Sequence, residues 1–202
     1  MSIAPAIRVI AVACACVLAL VGLVVYEGRA RAEGAEIILR MEAVDPRALL
    51  SGHYVIVGLQ EALAPGGACP PGVLDSAPAE LAPERWIALS ANGDHHSAIA
   101  SAATRAEAAR PGAVLVRGQL TCMPPRPSGG DDPEFPGAVR LDIGVERFHI
   151  DQTQAQRIER ILRAQTPGAE ARVSAIVSVG SDGRARLKGL LIDGARLELS
   201  WM

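Results

Sequence analysis

One long apolar run near the N-terminus limits what this chain can fold into. Eighteen consecutive residues, Val9 to Tyr26, carry no charge, and Arg8 and Glu27 flank them. As an α-helix rising about 1.5 Å per residue, the run and its neighbours reach across a hydrocarbon core of about 30 Å. The run therefore predicts a transmembrane helix that remains as an uncleaved signal-anchor. A cleaved signal peptide is the alternative, because Ala30-Arg31-Ala32 offers a small-x-small cleavage site.

The anchor divides the chain into four predicted segments. These are a cytoplasmic stub at residues 1–8, a transmembrane helix at 9–26, a linker at 27–34 and an exported domain at 35–202. Arginines flank both ends of the apolar run, so the positive-inside rule barely selects an orientation. Since a stub this short seldom carries function, we expect the C-terminal domain to lie outside the cytoplasm.

The composition excludes nucleic acid as a partner. The formal net charge is −2, which gives little electrostatic attraction for phosphate backbones. Aromatic residues make up only 3% of the chain, so the stacking platforms of single-strand binders are also missing. Half of the residues are apolar, which is the usual share of a globular protein and excludes wholesale disorder.

Two of the four cysteines lie in Pro/Gly-rich loops of the predicted domain. Cys69 and Cys122 suit a disulfide in an oxidising compartment, and the alternative is two unrelated loop cysteines. Closing a loop of this length would contribute on the order of 4 kcal/mol. Cys14 and Cys16 fall inside the apolar run, where they act as small apolar fillers.

Alternating apolar and polar residues predict a domain built mainly from strands. In the first strand, Ile37, Leu39 and Met41 share one face. The predicted strands cover residues 35–43, 53–61, 86–90, 95–102, 113–120, 139–143, 172–179, 184–192 and 195–201. One amphipathic helix follows Asp151 as its N-cap. The predicted fold class is α+β: an N-terminal transmembrane helix and a mainly antiparallel β domain, barrel-like or sandwich-like, with one amphipathic helix.

Several details of the strand pattern remain open. The alanine-rich segment 95–102 also permits a helix, although Asn92-Gly93 before it favours a hairpin. A single helical turn at residues 45–52 is expected to join the first two strands, because Asp45 can cap it and Gly52 can end it.

The segment Asp45-Pro46-Arg47 with Gly52 and Tyr54 resembles the signature of the GDYXXLXY family, whose hallmark is a DPR turn before Gly-Asp-Tyr. His53 stands where that family has Asp. The later block at residues 144–148 is also similar to a block of the family. The resemblance implies a bacterial envelope protein of uncharacterised function, located at the cytoplasmic (inner) membrane, with a polytopic membrane protein often encoded nearby.

The same turn supplies the candidate binding site. Asp45, Arg47, Gly52, His53 and Tyr54 could form it, with Arg47 holding an anion through its planar fork of donors. The alternative is structural: a capped turn whose arginine braces the next strand and whose glycine permits a positive φ.

Other groupings point to chemistry less directly. Ser51 and Lys188, the sole lysine, could form a Ser–Lys dyad of the kind found in some serine peptidases. The stretch Asp94-His95-His96 contains residue types that bind metals. However, the close spacings of zinc ligands are missing, and adjacent strand residues point to opposite faces, so both histidines cannot easily bind one ion. We therefore expect no catalytic residue, metal or cofactor.

Three hypotheses of function follow. The leading one is a non-enzymatic accessory or binding subunit, anchored through residues 9–26 and serving a polytopic membrane protein. An anchored serine hydrolase using Ser51 and Lys188 is the second. A module that binds an envelope ligand through the Arg47–Tyr54 turn is the third.

Overall fold

The chain forms an N-terminal helix and an antiparallel β domain. The computed structural model describes residues 3–43, 54–63, 67–73, 83–126, 137–145, 147–149, 152–164 and 172–198. The helices are α1 (Ile3–Glu33), α2 (Arg105–Ala108) and α3 (Gln152–Arg163). The strands are β1 (Ala35–Ala43), β2 (Tyr54–Ala62), β3 (Arg85–Asn92), β4 (His95–Ala102), β5 (Val114–Met123), β6 (Ala138–Asp142), β7 (Arg147–His149), β8 (Val173–Val179), β9 (Ala185–Ile192) and β10 (Ala195–Glu198).

Helix α1 contains the whole predicted transmembrane segment. From Ile7 to Glu33 it is long and apolar enough to cross a membrane, and none of its apolar window is buried. The helix does not stop at Tyr26. It continues through residues 27–33, which the sequence analysis assigned to a linker, and β1 starts at Ala35 directly after it.

All neighbouring strands of the sheet are antiparallel. Their order is β10-β9-β8-β1-β2-β6-β5-β3-β4, and β7 pairs with β2 beside this path. In the described part of the chain, β10 and β4 each pair with one strand only, so they form the two edges of the sheet. The antiparallel β domain expected from the sequence is confirmed.

The sheet is open and folds back on itself like a sandwich. Register shifts at Ala88/Leu89 and at Ile176/Val177 interrupt the β3–β4 and β8–β9 ladders, and such bulges bend strands and increase their twist. The two halves touch where the Ile38 N–H donates to His96 Nδ1 at 3.3 Å and the Arg117 N–H donates to the Gly183 carbonyl at 2.8 Å. Of the two predicted forms, the domain is therefore sandwich-like.

Strand β8 lies at the centre of the domain. All seven of its residues are buried, because α1 and α3 contact it as well as β5 and its two neighbours in the sheet. Ile158 and Leu162 of α3 are buried, as the predicted amphipathic pattern requires. Burying apolar side chains such as these is the main favourable contribution to folding.

The structure also resolves the open details of the strand pattern. Residues 95–102 form strand β4 rather than a helix, and the β3–β4 hairpin turns through Gly93 and Asp94. Helix α2 was not predicted; Thr104 and Glu107 form its capping box. The predicted helical turn at residues 45–52 and the Asp151 cap lie outside the described residues.

Candidate functional site

The predicted binding turn lies at the start of β2. Asp45, Arg47, Gly52 and His53 are outside the described residues, and so is Ser51. Tyr54 is the first residue of β2, and its backbone position is described. The candidate site can therefore be located on the fold through the strand that follows it.

Strand β7 pairs with the signature end of β2. Tyr54 lies opposite His149, Val55 opposite Phe148 and Ile56 opposite Arg147. This β2–β7 ladder brings together the two sequence blocks that carry the family resemblance, although more than ninety residues separate Tyr54 from His149. Sequence reasoning singled out both blocks but did not pair them, because nothing in either block specifies its partner strand.

A polar network around the buried His95 lies at the other end of β2. The His95 side chain is only 6% exposed, and carboxylates contact both of its ring nitrogens. Nε2 is 2.9 Å from Glu61 Oε1, and Nδ1 is 2.9 Å from Asp94 Oδ1. Ser97 donates its hydroxyl hydrogen to the same Glu61 oxygen at 2.9 Å. The network links β4 to β2 across the sandwich.

The residue types of this network match a serine–histidine–aspartate triad, but their bonds do not. Ser97 Oγ is 3.4 Å from His95 Nε2 and closer to Glu61, which therefore takes its hydrogen bond. A triad serine instead gives its proton to an imidazole nitrogen that is free to accept it. The hydrogen bond with His95 lowers the pKa of the Asp94 carboxyl. This arrangement suits a structural link between strands better than an activated nucleophile.

The neighbouring histidine points the other way. His96 Nδ1 accepts a hydrogen bond from the Ile38 backbone N–H, and burial lowers the pKa of the His96 imidazole. His95 and His96 thus face opposite sides of β4, as strand alternation predicts. Among the described residues, no cluster of three histidine, cysteine or acidic side chains could hold a metal ion.

A disulfide joins Cys69 to Cys122, with their Cα atoms 5.8 Å apart. It ties the segment 67–73 to β5, and a hydrogen bond of 3.0 Å from the Ser101 N–H to the Pro71 carbonyl ties the same segment to β4. Both sulfurs belong to residues packed at the hydrophobic core. Cys14 and Cys16 are free and exposed on α1.

The last two turns of α1 are joined to β8 and β9 by polar contacts. Arg186 donates to both Glu27 carboxylate oxygens, at 2.6 and 3.2 Å, and also pairs with Asp182. The Arg186 side chain is only 10% exposed, and its hydrogen bonds lower the pKa of Glu27. One turn later, Arg31 Nη2 donates to the Lys188 carbonyl at 2.8 Å. These contacts, which we call the helix–sheet joint, hold α1 against the domain.

Lys188, which belongs to the alternative Ser51–Lys188 dyad, is held by a carboxylate. Its Nζ lies 2.9 Å from Glu36 Oε2, and Arg196 binds both oxygens of the same carboxylate. Hydrogen bonds from Arg196 and then Lys188 lower the pKa of Glu36 to about 2. A Ser51–Lys188 dyad would first need this ion pair to be broken.

Comparison with known proteins identifies a family. The family model described as GDYXXLXY protein matches residues 16–190, a range that contains both signature blocks, the His95 network and the helix–sheet joint. No curated protein and no solved structure matches the chain. Because the match covers most of its length, the chain belongs to the GDYXXLXY protein family.

Proposed function

We propose that this chain is a membrane-anchored envelope protein that acts as a non-enzymatic accessory or binding subunit of a polytopic membrane protein. In this proposal, α1 crosses the bacterial cytoplasmic membrane once through residues 9–26. The domain at residues 35–202 lies on the outer side of that membrane.

The observation that carries the proposal is the exposed apolar surface of α1, which leads directly into the helix–sheet joint. Large apolar side chains from Ile7 to Tyr26 are about half exposed or more, which is costly in water and favourable in lipid. The joint at Glu27 and Arg186 begins immediately after this surface. A domain fixed at this position would stay close to its membrane, where it can meet a membrane-embedded partner.

The disulfide supports the outer side of the membrane. Bridges such as Cys69–Cys122 persist in oxidising compartments and are rare in the cytosol. The cysteines of α1, Cys14 and Cys16, are free, which is consistent with their position in the bilayer segment.

We assign the partner-binding surface to the β2–β7 ladder and the signature turn before it. The two blocks of family resemblance meet there, because Val55, directly after Tyr54, pairs with Phe148. Asp45, Arg47, Gly52, His53 and Tyr54 are the contact residues of this proposal. Asp45 offers hydrogen-bond acceptors and Arg47 offers donors, so this segment can meet polar groups of both kinds on a partner.

Affinity purification from native membranes tests the proposal. A tagged full-length chain is solubilised in mild detergent, and the proteins that accompany it are identified and quantified by mass spectrometry. We expect one multispanning protein in stoichiometric amount, and at least a tenfold loss of it with Arg47→Ala/Tyr54→Ala, as for a binding hot spot. The matched control is Arg160→Ala, on the exposed face of α3. Recovery of the wild-type chain as a lone monomer would contradict the accessory role.

A further inference from the structure

The β8–β9 turn lies beside the end of the apolar run of α1. Glu27 contacts Arg186, and Arg31 contacts the Lys188 carbonyl. Arg186 also pairs with Asp182, which belongs to the turn at residues 180–184. The turn therefore lies close to Glu27, the residue that directly follows the apolar run.

Arginines and a tryptophan surround this turn. Arg105 Nη1 donates to the Ser181 carbonyl at 2.8 Å, and the Arg105 guanidinium lies 5.3 Å from the centre of the Trp86 ring. Arg117 lies 5.8 Å from the same ring. The ring itself fills the space beside Gly183. We call Trp86, Arg105, Arg117 and Arg184 the turn-side patch.

Three carboxylates near the patch already have cationic partners. Glu27 and Asp182 pair with Arg186, and Glu84 pairs with Arg117 at 2.7 Å. Arg105 and Arg184 are exposed, and neither forms an ion pair with a carboxylate in the described part of the chain. One of the five N–H donors of the Arg105 guanidinium binds the Ser181 carbonyl, which leaves the other donors for a ligand. Among the described residues, the turn-side patch therefore presents two exposed arginines, Arg105 and Arg184, that no direct ion pair neutralises.

We propose that the turn-side patch binds anionic phospholipid headgroups of the leaflet from which α1 emerges. The inference rests on the proposed membrane anchoring, because α1 sets the height of the patch. Arginine forks match phosphate oxygens, and an indole ring next to them is suited to the boundary between headgroups and acyl chains. The helix–sheet joint holds the patch at this level, so the domain lies against the membrane in one orientation.

Quenching of Trp86 fluorescence by a headgroup-labelled lipid tests the inference. The full-length chain with Trp201→Phe, which leaves Trp86 as its single tryptophan, is reconstituted in phosphatidylcholine vesicles with and without phosphatidylglycerol. Each vesicle contains a small amount of phosphatidylcholine spin-labelled at the headgroup. We expect stronger quenching in the anionic vesicles, and we expect high salt to remove the difference, since salt screens charges near a surface.

Charge-neutral variants identify the residues. Each arginine near an anionic surface favours binding about fivefold, so Arg105→Gln/Arg184→Gln should lower the ratio of bound to unbound domain about 25-fold. The matched control, Arg157→Gln/Arg160→Gln, removes the same charge from α3, whose Arg157 lies near Asp193 at the opposite end of β9. The Trp86 fluorescence of this control should be quenched as strongly as in the wild type. Arg105→Lys/Arg184→Lys keeps the charge and should retain most of the lipid dependence.

The outcomes separate this inference from the proposed function. Flotation of the chain with both kinds of vesicle, together with equal Trp86 quenching in both, would overturn the lipid contact and leave the anchoring intact. Equal loss of quenching in the α3 control would also overturn it, because the effect would then follow net charge alone. Failure to float with either vesicle would overturn the anchoring and, with it, the inference that rests on it.

Discussion

At the scale of single residues, the His95 network is the most consequential polar feature in the described part of the domain. His95 is nearly fully buried and joins Glu61 of β2 to Asp94 of the β3–β4 turn. Removing it would leave the Glu61 carboxylate, 24% exposed, without its ring partner. Breaking a buried charged hydrogen bond costs more than the bond contributes, because the remaining group stays desolvated.

We therefore predict that His95→Ala lowers the free energy of unfolding by about 2–3 kcal/mol. The matched variant His96→Ala removes one hydrogen bond to the Ile38 backbone and should cost about 1 kcal/mol. Urea unfolding of both variants in detergent, followed by circular dichroism, measures the difference. Equal costs would show that the two carboxylates contribute nothing beyond an ordinary hydrogen bond.

The Glu36 cluster predicts a dependence of stability on acid. The folded pKa of Glu36, about 2, lies below the value of 4.5 for an unpaired glutamate. The stabilisation is therefore complete above about pH 4.5 and is lost as the pH falls towards 2. Glu36→Gln should lower the free energy of unfolding by up to about 1 kcal/mol at neutral pH, since the pairs are partly exposed.

Parallel unfolding curves of the wild type and Glu36→Gln between neutral and acid pH measure this effect. The difference between the two proteins should narrow as the pH falls. A difference that stays constant with pH would mean that Glu36 stabilises the domain by some means other than its charge.

Sequence reasoning could predict part of this residue-level picture. Strand alternation was enough to place His95 and His96 on opposite faces of β4. The partner of His95 could not be found in the same way, because Glu61 lies 34 positions earlier and belongs to a strand that is not a sheet neighbour of β4. Only the fold of the sandwich brings these side chains together.

At the scale of secondary-structure elements, α1 extends further than the apolar pattern indicated. Four of the seven residues 27–33 are charged and none is proline, so the chain leaves the apolar run without leaving the helix. A change in polarity marks where a membrane segment ends, whereas capping residues and helix breakers mark where a helix ends. The extra turns place Glu27 and Arg31 against β9.

The helix–sheet joint should show energetic coupling between Glu27 and Arg186. In a double-mutant cycle of Glu27→Gln, Arg186→Gln and the double variant, we expect a coupling energy of about 1–2 kcal/mol. Chemical unfolding in detergent measures it. Arg29→Gln, an exposed change on the same helix, is the control and should cost less than about 0.5 kcal/mol. Additive effects of the two single variants would mean that the pair does not hold α1 to the sheet.

The strands were predicted well where one face is buried. Ile37, Leu39 and Met41 are all buried in β1, and the predicted bounds of β1 match the observed ones. The pairing of β2 with β7 could not be predicted from the sequence, because β7 has only three residues and no periodic pattern. Short strands such as β7 depend on their neighbours rather than on their own sequence.

At the scale of the whole molecule, the sequence predicted an antiparallel β domain but not the order of its strands. Hairpin turns predicted the neighbouring pairs β3–β4, β8–β9 and β9–β10. The pairs β1–β8 and β3–β5 join strands that other strands separate along the chain. Such pairs follow from how the whole core is buried, and no local motif encodes them. Whether the sheet forms an open sandwich or a closed barrel also depends on how the whole core is buried.

The disulfide restrains the whole molecule because its cysteines are 53 positions apart. The chain-entropy estimate gives about 4 kcal/mol for such a loop, and we treat this value as an upper bound. Cys69→Ala/Cys122→Ala should therefore lower the free energy of unfolding by about 2–4 kcal/mol. The matched control, Cys14→Ala/Cys16→Ala in the apolar run, should leave domain unfolding unchanged. Equal stability of the first variant and the wild type would show that the bridge does not restrain the unfolded chain.

We expect α1 to anchor the domain on the outer side of a cytoplasmic membrane. Protease accessibility in intact spheroplasts, combined with alkaline extraction of their membranes, tests this anchoring most directly. The chain should remain in the membrane pellet after alkaline extraction, and external protease should remove the domain and leave a fragment containing residues 9–26. Release of the chain by alkali, or protection of the domain until the membrane is broken, would contradict the claim.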